Sequence, residues 1–193
     1  MSQQVEKEFK NLLTKEEFER LLVDFNLLEV EPLHQTNFYY DSKDGALRAL
    51  HMGLRIRLYD DKGEQTLKSP ISKNEKLETT DELSLEEATT LADNGKLKTD
   101  GYVAALLRNS EIEVADLEQI GQLSTIRYEV PVEGGVFFLD ESYYQDQKDY
   151  ELEFEAEELE TGALLFEQFL ESHQINHRHT AQKIERALNY PNS

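Results

Sequence analysis

Charged side chains recur at every second position in three short stretches of this chain: Glu6-Lys7-Glu8-Phe9-Lys10, Leu54-Arg55-Ile56-Arg57-Leu58 and Tyr150-Glu151-Leu152-Glu153-Phe154-Glu155. Successive side chains of a strand point to opposite faces. Glu6, Glu8 and Lys10 therefore share a face, as do Arg55 and Arg57, and as do Glu151, Glu153 and Glu155. In a half-buried sheet such faces meet water. Here they mix both signs and recur at both ends of the chain, which points to faces that look at one another across an enclosed polar space. Glu6 and Glu8 on one strand, with Glu151 and Glu153 on another, would bring four carboxylates together. Hard oxygen ligands of this kind suit Mg2+ or Mn2+, and a bound cation relieves their mutual repulsion. Lys10, Arg55, Arg57, Lys68 and Arg127 fall on the same inferred face. Arg offers a fork matched to phosphate oxygens, and Lys a point charge. The chemistry expected is a metal ion bridging to a polyphosphate; cross-strand ion pairing among the same residues is the competing reading.

The elements that must position these residues follow from pattern. Strands are expected at about Val5–Leu12, Gln35–Tyr40, Gly53–Tyr59, Gln65–Ser69, Leu77–Leu83, Thr125–Pro131, Gly135–Asp140 and Asp149–Glu157. Asp60–Glu64 reads as a hairpin loop and Glu133-Gly134-Gly135 as a hairpin turn. Thr14-Lys15-Glu16-Glu17 and Ser84-Leu85-Glu86-Glu87 are capping boxes that open helices. The first helix carries Phe18, Leu21, Leu22 and Phe25 on one stripe. Further helices are expected at Tyr102–Arg108, Thr161–Ser172 and Thr180–Leu188. Eight strands with short connections and five helices argue for an antiparallel α+β architecture. The faces opposite the charges are apolar: Leu54, Ile56 and Leu58; Ile126, Tyr128 and Val130; Tyr150, Leu152 and Phe154. A barrel with that pattern would be polar inside and apolar outside, with the amphipathic helices as its cover.

Composition sets the outer bounds. The 193 residues, 38% hydrophobic and 31% charged, fit one domain over residues 1–193 with a real core. No apolar run reaches 18 residues, the N-terminus lacks the features of a signal peptide, and there is no cysteine. The expected location is cytoplasmic. A net charge of −20 argues against nucleic acid or an anionic membrane as partner, because both need a basic footprint. A small phosphate ligand needs only a local basic cluster. The histidines His34, His51, His173, His177 and His179 match no metal motif, and no phosphate-loop string occurs.

Glu6-x-Glu8-x-Lys10 close to the N-terminus, followed in order by Arg55-x-Arg57, Thr66-Leu67-Lys68, Leu77-Glu78, Arg127 and Glu151-x-Glu153, resembles the CYTH superfamily of triphosphate tunnel metalloenzymes. Asn37–Asp41, Thr125–Glu129 and Asp149–Glu155 are most similar to its bacterial YjbK-like branch. The resemblance spans essentially the whole chain. It implies a closed eight-stranded antiparallel β-barrel, the tunnel, with helices packed outside. It implies one or two Mg2+ or Mn2+ ions on Glu6, Glu8, Glu151 and Glu153, and phosphate held by Lys10, Arg55, Arg57, Lys68 and Arg127. It adds Glu78 as a further inward acid that positions water or metal, and Lys183 as a closing residue from the last helix. It gives Asp140 and Glu155 no definite role. The activity implied is metal-dependent hydrolysis of inorganic triphosphate or a nucleoside triphosphate, with Glu6, Glu8, Lys10 and Glu78 as its catalytic set. Two alternatives stay open: an adenylate cyclase forming cyclic AMP and pyrophosphate, and a binding module for polyphosphate or a phosphorylated ligand. A tunnel open at both ends would admit several triphosphates. The oligomeric state is not legible.

Overall fold

The computed structural model describes residues 2–189. In chain order the elements are β1 (Ser2–Leu13), α1 (Lys15–Asp24), β2 (Leu33–Ser42), α2 (Ala46–Ala49), β3 (Gly53–Leu58), β4 (Lys62–Pro70), β5 (Glu75–Ser84), α3 (Leu85–Asp93), α4 (Tyr102–Asn109), β6 (Leu117–Val132), β7 (Gly135–Tyr144), β8 (Gln147–Ala156), α5 (Leu159–Ser172) and α6 (Lys183–Asn189). The strands close into an antiparallel barrel in the order β1-β5-β4-β3-β2-β6-β7-β8. β1 is shared between two neighbours. Its residues 2–7 pair with β5, and residues 8–13 pair with β8.

The polarity is inverted, as the alternation implies. Leu54, Ile56, Leu67 and Leu83 point outward and are buried beneath Ala88 and Ala92 of α3 and Val103, Ala104 and Leu107 of α4. On the other side Phe137, Leu139, Leu152 and Phe154 are covered by Phe18 and Leu21 of α1 and Phe166 and Leu170 of α5. Each such side chain taken from water contributes about 1.5–3 kcal/mol. The core is therefore a sleeve between barrel and helices, and the barrel interior is left free for charge.

Helix starts tie the sleeve to the strands. Thr14 and Glu17 form the full capping box of α1. At α3 only half forms: Ser84 accepts from the Glu87 N–H, but the Glu87 carboxylate turns to Lys98 at 2.7 Å. α4 has Gly101 at its N-cap, with φ +108°, and takes its capping oxygens from Asp81 of β5, which accepts from the N–H groups of Tyr102 and Val103. Asp41 of β2 does the same for α2 through Leu47 and Arg48.

Four features differ from the pattern reading. α2 is an extra helix, too short at four residues to show a stripe. β3 ends at Leu58 and β4 begins at Lys62, so the hairpin turn is shorter than expected. β6 begins at Leu117, well before Thr125. Its early part pairs with β2 across a bulge at Tyr39/Tyr40, which breaks the alternation there. α6 begins at Lys183 rather than Thr180. No helix is long and apolar enough to cross a membrane among the described residues.

Candidate active site

The barrel encloses a cavity of about 260 Å³. Glu6, Glu8, Lys10, Arg55, Arg57, Lys68, Glu78, Arg127, Glu153 and Lys183 all line it, brought together from β1, β3, β4, β5, β6, β8 and α6. Glu151 does not. It is fully buried at one end, where Thr180 and Lys183 and Arg186 of α6 engage its carboxylate.

The lining residues fall into two linked groups. In the first, Lys68 pairs with Glu6 and, at 3.1 Å, with Glu78. Arg55 lies 3.4 Å from Glu78 and 3.6 Å from Glu64, and Arg57 is 3.6 Å from Glu64 with its Nε donating to Asn37 Oδ1 at 2.8 Å. In the second, Arg127 clamps Asp140 at two points, 2.7 and 2.6 Å, and also reaches Glu153. Its guanidinium lies 4.3 Å from the centroid of the Phe138 ring. Lys10 lies 3.1 Å from Glu8 and 3.8 Å from Glu153. Lys183 sits among Asp140, Glu151 and Glu153 at 2.6–2.8 Å.

Burial and these partners set the protonation preferences. Burial acts to raise the Glu78 carboxyl, but Arg55 and Lys68 outweigh it and hold it at about 2. Glu6, whose desolvation exceeds the help from Lys68, is raised above the ordinary range. Burial also opposes ionisation of Glu8 and Glu153, yet both carboxyls are lowered: Lys10 acts first at Glu8, and Lys183 and Arg127 act at Glu153. Lys76 shifts the other way. Burial, followed by the Lys10 ammonium, pushes it below the usual lysine range. Two buried donors, Arg55 Nε and Asn37 Nδ2, have no protein partner among the described residues, and such groups are costly unless a ligand satisfies them.

α6 corrects the expectation of a tunnel open at both ends. Ile184 and Ala187 pack with Tyr39, Leu123, Ile120 and Tyr144, while Arg186 pairs with Asp149 at 2.7 Å. The helix thus closes the barrel over β2, β6, β7 and β8. Asp140, Glu151 and Glu153 form a group of three whose ligand oxygens all lie within 4.8 Å of one another. Glu6 and Glu8 lie elsewhere along β1, on Lys68 and Lys10. Three buried carboxylates give the hard-oxygen donor set that a divalent cation takes, so these residues fit one.

The pattern reading missed Glu64, Lys76 and Glu129 in the lining. A period-two count could have found all three, since Glu64 precedes Thr66 and Lys68 at two-residue steps, Lys76 precedes Glu78 by two and Glu129 follows Arg127 by two. Arg186 has no such signal, because its partners are set by how α6 docks.

A family model for the CYTH domain matches residues 4–188. The chain belongs to the CYTH domain family. A Bacillus subtilis relative, YjbK, named provisionally as a triphosphatase, is 39% identical over 186 residues, covering 96% of this chain and 95% of that protein. Among solved structures, a Bacillus halodurans protein described provisionally as an adenylate cyclase is 35% identical, with a TM-score of 0.89 over 96% of this chain and 98% of that one. HpAC1 from Hippeastrum, described as having a dominant triphosphatase activity, shares the fold at 22% identity and a TM-score of 0.66, over 94% of this chain and 93% of that one. The charged tunnel is therefore that of a CYTH protein.

Proposed function

We propose that this CYTH protein hydrolyses a triphosphate, inorganic triphosphate or a nucleoside triphosphate, with a divalent cation, and releases orthophosphate. The observation that carries the reading is the balance of charge inside the barrel. Seven acids (Glu6, Glu8, Glu64, Glu78, Glu129, Glu153, Glu155) face seven bases (Lys10, Arg55, Arg57, Lys68, Lys76, Arg127, Lys183) in a chain whose net charge is −20. Concentrating seven of the chain's 20 Lys and Arg residues in one enclosed space, against the trend of the whole molecule, is suited to a strongly anionic ligand. A neutral lining cannot hold a triphosphate alone, so cation and substrate would enter together.

Asp140, Glu151 and Glu153, with Glu8 beside Lys10, would hold Mg2+ or Mn2+, which when bound neutralises phosphate oxygens and activates water. The other contributions come from the chain. Arg55, Arg57 and Arg127 exchange carboxylate partners for phosphate oxygens, with the free Arg55 Nε and Asn37 Nδ2 as ready donors. Lys10, Lys68 and Lys183 add point charges that stabilise negative charge on the transferring group. Glu6 and Glu78, both on Lys68, can hold an attacking water, and Glu6, the carboxyl raised by burial, can take its proton.

The relative described as an adenylate cyclase supports a second reading, in which a ribose hydroxyl attacks the α-phosphorus. Product analysis separates the two. Purified protein with ATP or inorganic triphosphate and Mn2+ should release orthophosphate. Cyclic AMP with pyrophosphate would replace the hydrolase reading with the cyclase.

A further inference from the structure

A second cavity, of about 520 Å³, lies beside the tunnel and shares Glu6, Glu8, Lys10 and Lys76 with it. Its origin is the division of β1 between two partners. The β5 ladder stops at Lys7↔Glu75, and from Glu8 onward that edge of β1 has no strand beside it. The Glu8 N–H donates to the Asn74 carbonyl at 3.0 Å and the Leu12 N–H to the Arg178 carbonyl at 3.4 Å. Backbone groups two residues apart in a strand point the same way, so the Lys10 N–H is directed into the slot between them. Lys73 and Asn74 form one wall, and residues 177–182 form the other.

Lys76 stands where tunnel and slot meet. Lys10, Arg55, Arg57, Lys68, Arg127 and Lys183 each have a carboxylate within ion-pair distance. Lys76 is the tunnel base that has none among the described residues, although it is only partly exposed and sits opposite Glu6 in the β1–β5 register. Beyond it, Lys73 and His179 also line the slot without ion pairs among the described residues; of the slot's acids, Glu167 is occupied by His177 at 2.8 Å and Glu185 accepts from the Gln182 N–H at 3.0 Å. The junction thus presents an ammonium without an ion pair of its own, in a lining it shares with Glu6 and Glu8, and the Lys10 N–H opens into the same slot.

We infer that Lys76 forms an anion subsite at this junction, on the side where the slot opens, that takes a single phosphate group, inorganic phosphate being its simplest occupant. The inference rests on the triphosphate reading for its biological sense, but the binding event can be measured without turnover. Metal-free protein is titrated separately with inorganic phosphate and with inorganic triphosphate by calorimetry, for wild type, Lys76→Gln, Lys76→Arg and Lys43→Gln as an exposed control. Wild type is expected to bind phosphate. Lys76→Gln should weaken it roughly tenfold or more, as befits loss of one charge-assisted hydrogen bond. Lys76→Arg should restore it, and Lys43→Gln should match wild type, with melting temperatures showing that each variant is folded. Phosphate affinity unchanged in Lys76→Gln, or absent from a wild type that still binds triphosphate, would overturn the subsite and leave the triphosphate reading standing. A wild type that binds neither anion would overturn the subsite and count against the triphosphate reading as well.

Discussion

Lys183 of α6 and Glu153 of β8 are joined by an ion pair of 2.6 Å, with Asp140 and Glu151 at 2.8 and 2.7 Å from the same ammonium. The C-terminal helix is thereby fastened to the three carboxylates best placed for a cation. Among the described residues that ammonium is the one cation that touches all three, and with Arg127 and Arg186 it offsets their mutual repulsion.

Removing that ammonium while keeping its stem isolates the effect. Lys183→Met should cost about 3 kcal/mol in metal-free protein, lowering the melting temperature by roughly 6–12 °C. Mn2+ should recover more stability in the variant than it adds to wild type, because it meets a cluster with one cation fewer. Thermal melts with chelator and with Mn2+ read both quantities. Equal metal effects in the two proteins would separate Lys183 from the cation site.

Glu78 should carry an acid-dependent share of stability. Its folded-state carboxyl, held at about 2 by Arg55 and Lys68 against burial, lies below its ordinary value near 4.5. A depressed carboxyl stabilises the fold above the unfolded value, and that contribution fades as pH falls from about 4.5 towards 2. Glu78→Gln is expected to be less stable than wild type at pH 7, by on the order of 1–3 kcal/mol. The gap should close with acidification. Denaturant melts across pH 2.5–7 test this, and a constant gap would contradict it.

Arg57 is positioned for fork-like recognition, with Nε on Asn37 and Nη1 towards Glu64 and Tyr59. Lys keeps the charge but cannot hold both directions. Arg57→Lys should therefore weaken triphosphate binding about tenfold with a small change in melting temperature. Calorimetric titration checks the first and a thermal melt the second.

Scaffold and site should be separable at Asp81. Its carboxylate caps α4 from the outside of the barrel, through Tyr102 and Val103. Asp81→Ala is expected to cost about 1–2 kcal/mol of stability while turnover per folded molecule stays as in wild type. A loss of turnover without a loss of stability would mean that the sleeve reaches the tunnel.

Much of the fold was legible because strand alternation is local. Arg55-x-Arg57 and Glu151-x-Glu153 declare their faces without reference to any partner, and the apolar residues between them declare a sleeve. The caps of α2 and α4 were hidden because Asp41 and Asp81 sit on strands outside the usual capping position, Asp81 more than twenty residues before the helix it caps. Half of the Ser84 capping box failed because Lys98, eleven residues beyond Glu87, competes for the carboxylate. The partition of the carboxylates was also hidden. Nothing local tells that Glu151 turns to α6 while Glu6 turns to Lys68, since both follow from how β1 and α6 close the barrel.

The central claim is metal-dependent triphosphate hydrolysis inside the tunnel, and orthophosphate release by wild type and Glu8→Ala tests it most directly. Both proteins, stripped of metal and shown to be folded by their melts, are given inorganic triphosphate with and without Mn2+. The account predicts orthophosphate only from wild type with metal. Equal release from Glu8→Ala, or release from wild type that ignores the metal, would contradict it.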